Sequence, residues 1–266
     1  MKAKGYTVIE VLIVLAATGM LLTMATYLLK NQTGETTFLQ SLRDIQSKIE
    51  TVISSVNNSL FPNANNYTCS LQPGNDNVQR ATLKAETSSG IGTNDDCLFL
   101  GKALGVVKDR DTLYVYSVLG GRTYQSGDQT LEAETFAQTN PTAAVVSGSD
   151  LTEVYNPSTG GLYLLSARYD GSDSTDVNLA GFYNDLTGSS ADSQRLLAKA
   201  YATNINADGS KTEAAACIEE QPACQNFSLS HWLLCYQDAK RQRTAVLDIA
   251  ASNAGVTTKL NFVDCQ

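Results

Sequence analysis

Lys4-Gly5-Tyr6-Thr7-Val8-Ile9-Glu10 runs into Val11-Leu12-Ile13-Val14-Leu15-Ala16-Ala17-Thr18-Gly19-Met20-Leu21-Leu22-Thr23-Met24-Ala25-Thr26-Tyr27-Leu28-Leu29, an apolar run with one carboxylate near its start. As a helix, Val8 to Leu29 rises about 33 Å, enough to cross the hydrocarbon core of a bilayer. No proline interrupts it. The segment reads as a transmembrane helix over about residues 8–29. Its informative residue is Glu10. A charge deep in hydrocarbon costs roughly 2.5–3.5 kcal/mol on insertion scales, so an intramembrane acid points to function. The next charge along the helix is Lys30, far down the axis, so a partner for Glu10 is expected from another chain. The plainer reading is that Glu10, two residues inside the run, reaches back to the headgroups.

The flanking residues favour the first reading. Two lysines, a glycine, an aromatic, then Thr-Val-Ile-Glu and a long apolar stretch resemble the N-terminus of type IV pilins and of the related type II secretion pseudopilins. The resemblance implies a prepilin leader of residues 1–5, cut after Gly5 by a prepilin peptidase, and N-methylation of the new terminus, Tyr6. It gives Glu10 the role of pairing with the free terminal amine of a neighbouring subunit during filament assembly. Gly5, Thr7, Ile9 and Glu10 follow the family pattern; Tyr6 stands where phenylalanine is more usual. Gly19 matches a frequent family glycine that lets the helix loosen in the filament. Tyr27 stands where many major pilins carry a helix-kinking proline. The resemblance also implies a set of partners: other pilin subunits, the assembly platform, and membrane lipid before assembly.

The position of the cut separates this motif from a secretory signal, which is cleaved after its apolar region at an A-x-A-like site. Here the expected cut precedes the apolar run, so the helix stays in the mature chain. Lys2 and Lys4 place the N-terminus on the cytoplasmic side, with the bulk of the chain outside. Without the leader the chain keeps 261 of its 266 residues, long for a repeating major pilin and more in keeping with a minor subunit.

The same helix is expected to continue. Asn31 to Thr37 is polar and contains Gly34, a place where a helix bends or loosens. Phe38, Leu42, Ile45, Ile49, Val52 and Val56 then recur at spacings of three and four, one apolar stripe on an amphipathic helix. Asp44 and Lys48 lie four apart, off the stripe, as a supporting ion pair. Asn57-Asn58 and Pro62 end the helix. The expected fold class is therefore α+β: a helix over residues 6–56, its first half membrane-spanning and its second half packed on an antiparallel sheet.

Residues 57–266 form the expected extracytoplasmic head, with enough chain for a full core. Residues 57–100 read as a long connection with short strands. Leu113–Leu119 reads as a strand ending in a hairpin at Gly120-Gly121, and Leu162–Tyr169 as a second strand after Gly160-Gly161. Residues 125–150 are polar, with weak helical character over Leu131–Ala137. Residues 170–192 read as turns, and Leu196–Tyr201 as a short helix. The clearest β pattern lies at about 231–264. Side chains of one face alternate there in three successive segments, at Trp232, Leu234 and Tyr236; at Ala245, Leu247 and Ile249; and at Val256, Thr258, Leu260 and Phe262. Period two over three segments joined by short turns predicts an antiparallel meander whose apolar face the helix stripe covers.

Six cysteines, Cys69, Cys97, Cys217, Cys224, Cys235 and Cys265, occur in a chain read as exported, which argues for disulfides. They allow 15 connectivities, and sequence does not choose among them. Locality favours Cys69–Cys97, Cys217–Cys224 and Cys235–Cys265. A cysteine near the last residue also resembles pilin heads, where a terminal disulfide often staples the tail. Zinc spacing is absent: there is no C-x2-C pair, and His231 is the single histidine.

The remaining candidates are weaker. Asn204-Ile205-Asn206-Ala207-Asp208-Gly209-Ser210 alternates oxygen ligands before a glycine, as a calcium loop opens, but Ala215 stands where the twelfth-position glutamate belongs. The stretch reads as a solvent turn, as does Asp170, Asp173 and Asp176, and no metal or other cofactor is expected. Lys240, Arg241 and Arg243 cluster at an expected hairpin tip and invite a phosphate reading. With Lys2, Lys4, Lys30 and Glu10 set aside, however, 16 basic and 26 acidic residues remain, a net of −10 that disfavours nucleic acid. No G-x-S-x-G, P-loop or HExxH motif surrounds His231 or any other residue, so an enzyme is not expected. The functional expectation is a minor pilin that enters the cytoplasmic membrane and passes into a surface filament. A secretion pseudopilin, or a pilus-borne adhesive or DNA-binding subunit, is the alternative.

Overall fold

The computed structural model describes residues 7–58, 67–74, 78–85, 96–144, 152–157, 161–169, 176–186, 196–203, 211–219, 224–240, 242–252, 255–263 and 265. The chain opens with α1 (Val8–Asn57), a helix assigned without a break through Gly19, Tyr27 and Gly34. It stops where Asn58 caps the last turn through its N–H to the Ser54 carbonyl. A β-rich region follows: β1 (Tyr67–Pro73), β2 (Gln79–Ala85), β3 (Cys97–Val106), β4 (Leu113–Gly121), β5 (Thr123–Ser126), β6 (Gln129–Glu132), β7 (Thr142–Ala143), β8 (Thr152–Tyr155), β9 (Leu162–Tyr169), β10 (Leu179–Asn184), β11 (Leu196–Ala202), the short helix α2 (Lys211–Ile218), β12 (Gln225–Ser228), β13 (His231–Asp238), β14 (Thr244–Ser252) and β15 (Gly255–Asn261). The class is α+β, and every strand pairing is antiparallel.

Two sheets carry the core. The larger runs β12-β11-β10-β3-β4-β7, with β8 also on β4; the smaller runs β15-β14-β13-β9. The expected C-terminal meander is thus present as β13, β14 and β15, and β9 joins it as a fourth strand. In the first two segments the alternation has its physical cause in one buried face, with Trp232, Leu234, Tyr236, Ala245, Leu247 and Ile249 all buried, whereas in the third Val256 and Leu260 are half-buried and Phe262, past the end of β15, is exposed.

The stripe on α1 is the other wall of that core. Phe38, Leu42, Ile45, Ile49, Val52 and Val56 are buried, Leu42, Ile45, Ile49 and Val56 fully so. All but Val56 belong to one cluster with Leu104, Val115, Phe182, Ala200, Trp232 and Leu247, drawn from both sheets. A fully buried Leu or Ile side chain contributes about 1.5–3 kcal/mol, so this half of the helix is bound mainly by apolar burial. Polar contacts add direction. Gln46 Nε2 donates to Thr258 Oγ1 at 3.1 Å, and Lys48 pairs with Glu153 on β8. The expected Asp44–Lys48 pair is corrected accordingly: Lys48 turns outward from its own helix to a strand. Trp232, fully buried, satisfies its indole N–H on the Val177 carbonyl at 2.8 Å, as a buried donor must.

Several expectations are overturned. Leu196–Tyr201 is strand β11, not helix. Leu196, Ala198 and Ala200 face the α1 side and Leu197 and Tyr201 the other, so apolar side chains pack on both faces. Leu, Ala and Lys favour helix intrinsically, but pairing with β10 and β12 decides. The turn-rich reading of 170–192 hid β10, a strand covered on both faces and therefore without alternation. Gly120-Gly121 is not a hairpin. β4 runs through both glycines, and a Cβ on Gly120 would lie 2.6 Å from Cβ of Thr139. The helical character read over Leu131–Ala137 is also absent. The chain forms β6 and then a 3-10 turn at Ala137–Thr139, where Gln138 Oε1 accepts from the N–H groups of Glu134 and Thr135. Such side-chain bonds to backbone compete with helix.

The structure joins Cys69 to Cys97, Cys217 to Cys224 and Cys235 to Cys265. The first ties the β1–β2 hairpin to β3, the second closes α2 toward β12, and the third fastens the C-terminal end to β13.

Candidate functional site

The candidate site is the first half of α1. Thr7 has extended backbone angles, and its Oγ1 accepts from the Glu10 N–H at 3.4 Å. The Glu10 carboxylate reaches back and accepts from Thr7 N–H and from Thr7 Oγ1, both at 3.0 Å. This reciprocal capping box satisfies donors that a helix start leaves open. Within one chain, Thr7 is a neutral hydrogen-bonding partner for Glu10. The T-x-x-E spacing of Thr7 to Glu10 is the sequence signal for this box.

Beyond Glu10, Val8–Tyr27 holds no other charge and has a mean hydropathy of 2.3 over its most apolar window. Its threonine hydroxyls turn inward on the helix. Thr18 Oγ1 donates to the Val14 carbonyl at 2.9 Å, Thr23 to Met20 at 2.8 Å and Thr26 to Thr23 at 2.9 Å. Their donors are thereby satisfied within the segment, the condition a lipid environment imposes. None of Val8–Tyr27 is buried against the rest of the chain. The contrast with residues 38–56 is therefore sharp: one helix has a naked apolar half and a half embedded in a core. The naked half is long and apolar enough to cross a membrane.

Gly5, Tyr6 and the rest of residues 1–6 lie outside the described residues. So do the stretch Asn204–Ser210, Asp170 and Asp173. Among the described residues no three His, Cys, Asp or Glu side chains gather as metal ligands would. His231 Nδ1 lies 2.9 Å from Asp248 Oδ1 on β14, a cross-strand surface pair.

Of the basic hairpin tip, Lys240 and Arg243 are described and Arg241 lies outside the described residues. The tip joins β13 to β14 and lies beside α1 just above the naked half. Arg243 is 3.7 Å from Glu35, and Lys240 Nζ is 3.8 Å from where a Cβ on Gly34 would stand. A groove of about 580 Å³ opens there, lined by Glu35, Leu39, Arg243, Thr244, Phe262 and Val263. Sequence reading missed this groove, because its walls come from three segments far apart in the chain. The one available signal was Phe262-Val263, apolar residues continuing past the last strand.

Comparison with protein-family models, curated proteins and solved structures returned no match.

Proposed function

We propose that the chain is a structural subunit of a type IV pilus, a minor pilin that resides in the cytoplasmic membrane and enters a filament once its leader is removed after Gly5. The carrying observation is the division of α1: residues 8–27 bury nothing within the chain, while residues 38–56 are core. An apolar surface of that size needs a cover. Lipid supplies it before assembly, and the helices of other subunits supply it afterwards. The Thr-Val-Ile-Glu sequence after Gly5-Tyr6 supports the processing step and N-methylation of Tyr6. Glu10, held by Thr7 in the single chain, exchanges that neutral partner for the terminal amine of a neighbouring subunit, a charge-assisted and stronger bond. The net charge of −10 beyond residue 30 suits a soluble, surface-exposed head.

The test is incorporation. A Glu10→Ala chain is expected to reach the membrane normally and to be absent from sheared filaments. Incorporation equal to the unaltered chain overturns the reading. Loss of secretion without loss of filaments assigns the same helix to a type II secretion pseudopilus instead.

A further inference from the structure

We infer that the base of the β-rich region, where Arg243 lines a groove with exposed Phe262 and Val263 and Lys240 stands beside Gly34 of α1, rests on the bilayer surface and binds anionic lipid headgroups before assembly. This rests on the proposed membrane span of residues 8–27. Gly34 lies seven residues past Tyr27, about 10 Å along the helix axis. The headgroup layer is roughly 5–8 Å thick on each side of the hydrocarbon. A group at the level of Gly34 therefore stands just above the headgroups, and a lysine stem reaches down from there. Lys240 is at that level, 3.8 Å from the Gly34 position.

Among the described residues, Asp238 and Glu35 are carboxylates that neighbour these cations. Asp238 is buried, and its Oδ1 accepts from the Gln242 N–H at 2.7 Å and the Arg243 N–H at 3.3 Å, so it shapes the turn. Glu35 pairs with Arg243 at 3.7 Å, longer than a hydrogen bond, in a solvent-exposed ion pair of the weak surface kind. The Arg243 fork keeps donors for a phosphate, which it matches in geometry. Phe262 and Val263 are 58% and 52% exposed on the same groove. Cations beside exposed apolar side chains at one height on a membrane-crossing helix are the composition of an interfacial anchor. A chain whose remainder is strongly acidic would otherwise be repelled by an anionic surface, so this base fixes which end faces the lipid.

The experiment uses the full chain in nanodiscs of phosphatidylcholine alone or with phosphatidylglycerol, both with brominated acyl chains, and Phe262→Trp as the reporter. The single native tryptophan, Trp232, is fully buried and serves as the unquenched reference. Quenching at position 262 is expected in the anionic discs. It is expected to be lost in neutral discs, in high salt, and in a Lys240→Gln, Arg243→Gln double variant. Val263→Trp replaces the reporter if Phe262→Trp does not fold. Equal emission in both lipids overturns the inference and leaves the span intact. Emission that follows the number of chains per disc, not the lipid, also overturns it and makes this face a contact between copies. A chain not retained by any disc overturns the span and the inference together.

Discussion

Thr7 and Glu10 hold each other. The Glu10 carboxylate accepts from the Thr7 N–H and hydroxyl at 3.0 Å each, and Thr7 Oγ1 accepts from the Glu10 N–H. The single acid of the apolar half is thus occupied in an isolated chain. Removing the hydroxyl should loosen the first turn. Thr7→Val is expected to cost the cap about 1 kcal/mol and to speed amide exchange at residues 9–11 several-fold in detergent micelles. Thr7→Ser should leave that exchange unchanged. NMR exchange rates check both.

The two halves of α1 should respond oppositely to truncation. Ile45 is fully buried, so Ile45→Ala should destabilise the β-rich region by about 2–5 kcal/mol. Leu15 is exposed, so Leu15→Ala should leave the urea midpoint of the same detergent-solubilised protein within error. A fall in both would mean that residues 8–27 pack on the chain after all.

These two residues also mark what the sequence made legible. The spacing of Phe38 to Val56 and the alternation of Trp232 to Ile249 are periodic because each has one buried face, and both were readable. β10 and β11 pack apolar side chains on both faces, so Phe182 and Tyr183, or Ala200 and Tyr201, leave no period to read. The three local cysteine pairs are the ones joined, each linking cysteines that are consecutive in the sequence. The groove between Glu35, Arg243 and Phe262 was invisible because it exists only after three distant segments meet. Thr7 was legible and missed.

Gly101 should tolerate no side chain. It sits at a register shift between β3 and β4 with φ +153°, and a Cβ there would fall 2.1 Å from the Phe182 carbonyl oxygen. Gly101→Ala is expected to destabilise by more than about 1 kcal/mol, lowering the thermal midpoint by several degrees. Gly127→Ala has open space around it and should cost less, through its positive φ alone.

The Cys235–Cys265 bond closes a separation of 30 residues. Replacing both cysteines with serine is expected to lower stability by about 2–4 kcal/mol through the freed unfolded chain. Non-reducing peptide mapping should recover Cys69–Cys97, Cys217–Cys224 and Cys235–Cys265. Any crossed pair would contradict the strand register described here.

The most direct measurement is the mass of the N-terminal peptide of the protein taken from cells. The account predicts a chain that begins at Tyr6 and carries one added methyl group, with residues 7–29 still attached. A chain that keeps Met1, or one that starts beyond residue 29, would contradict it.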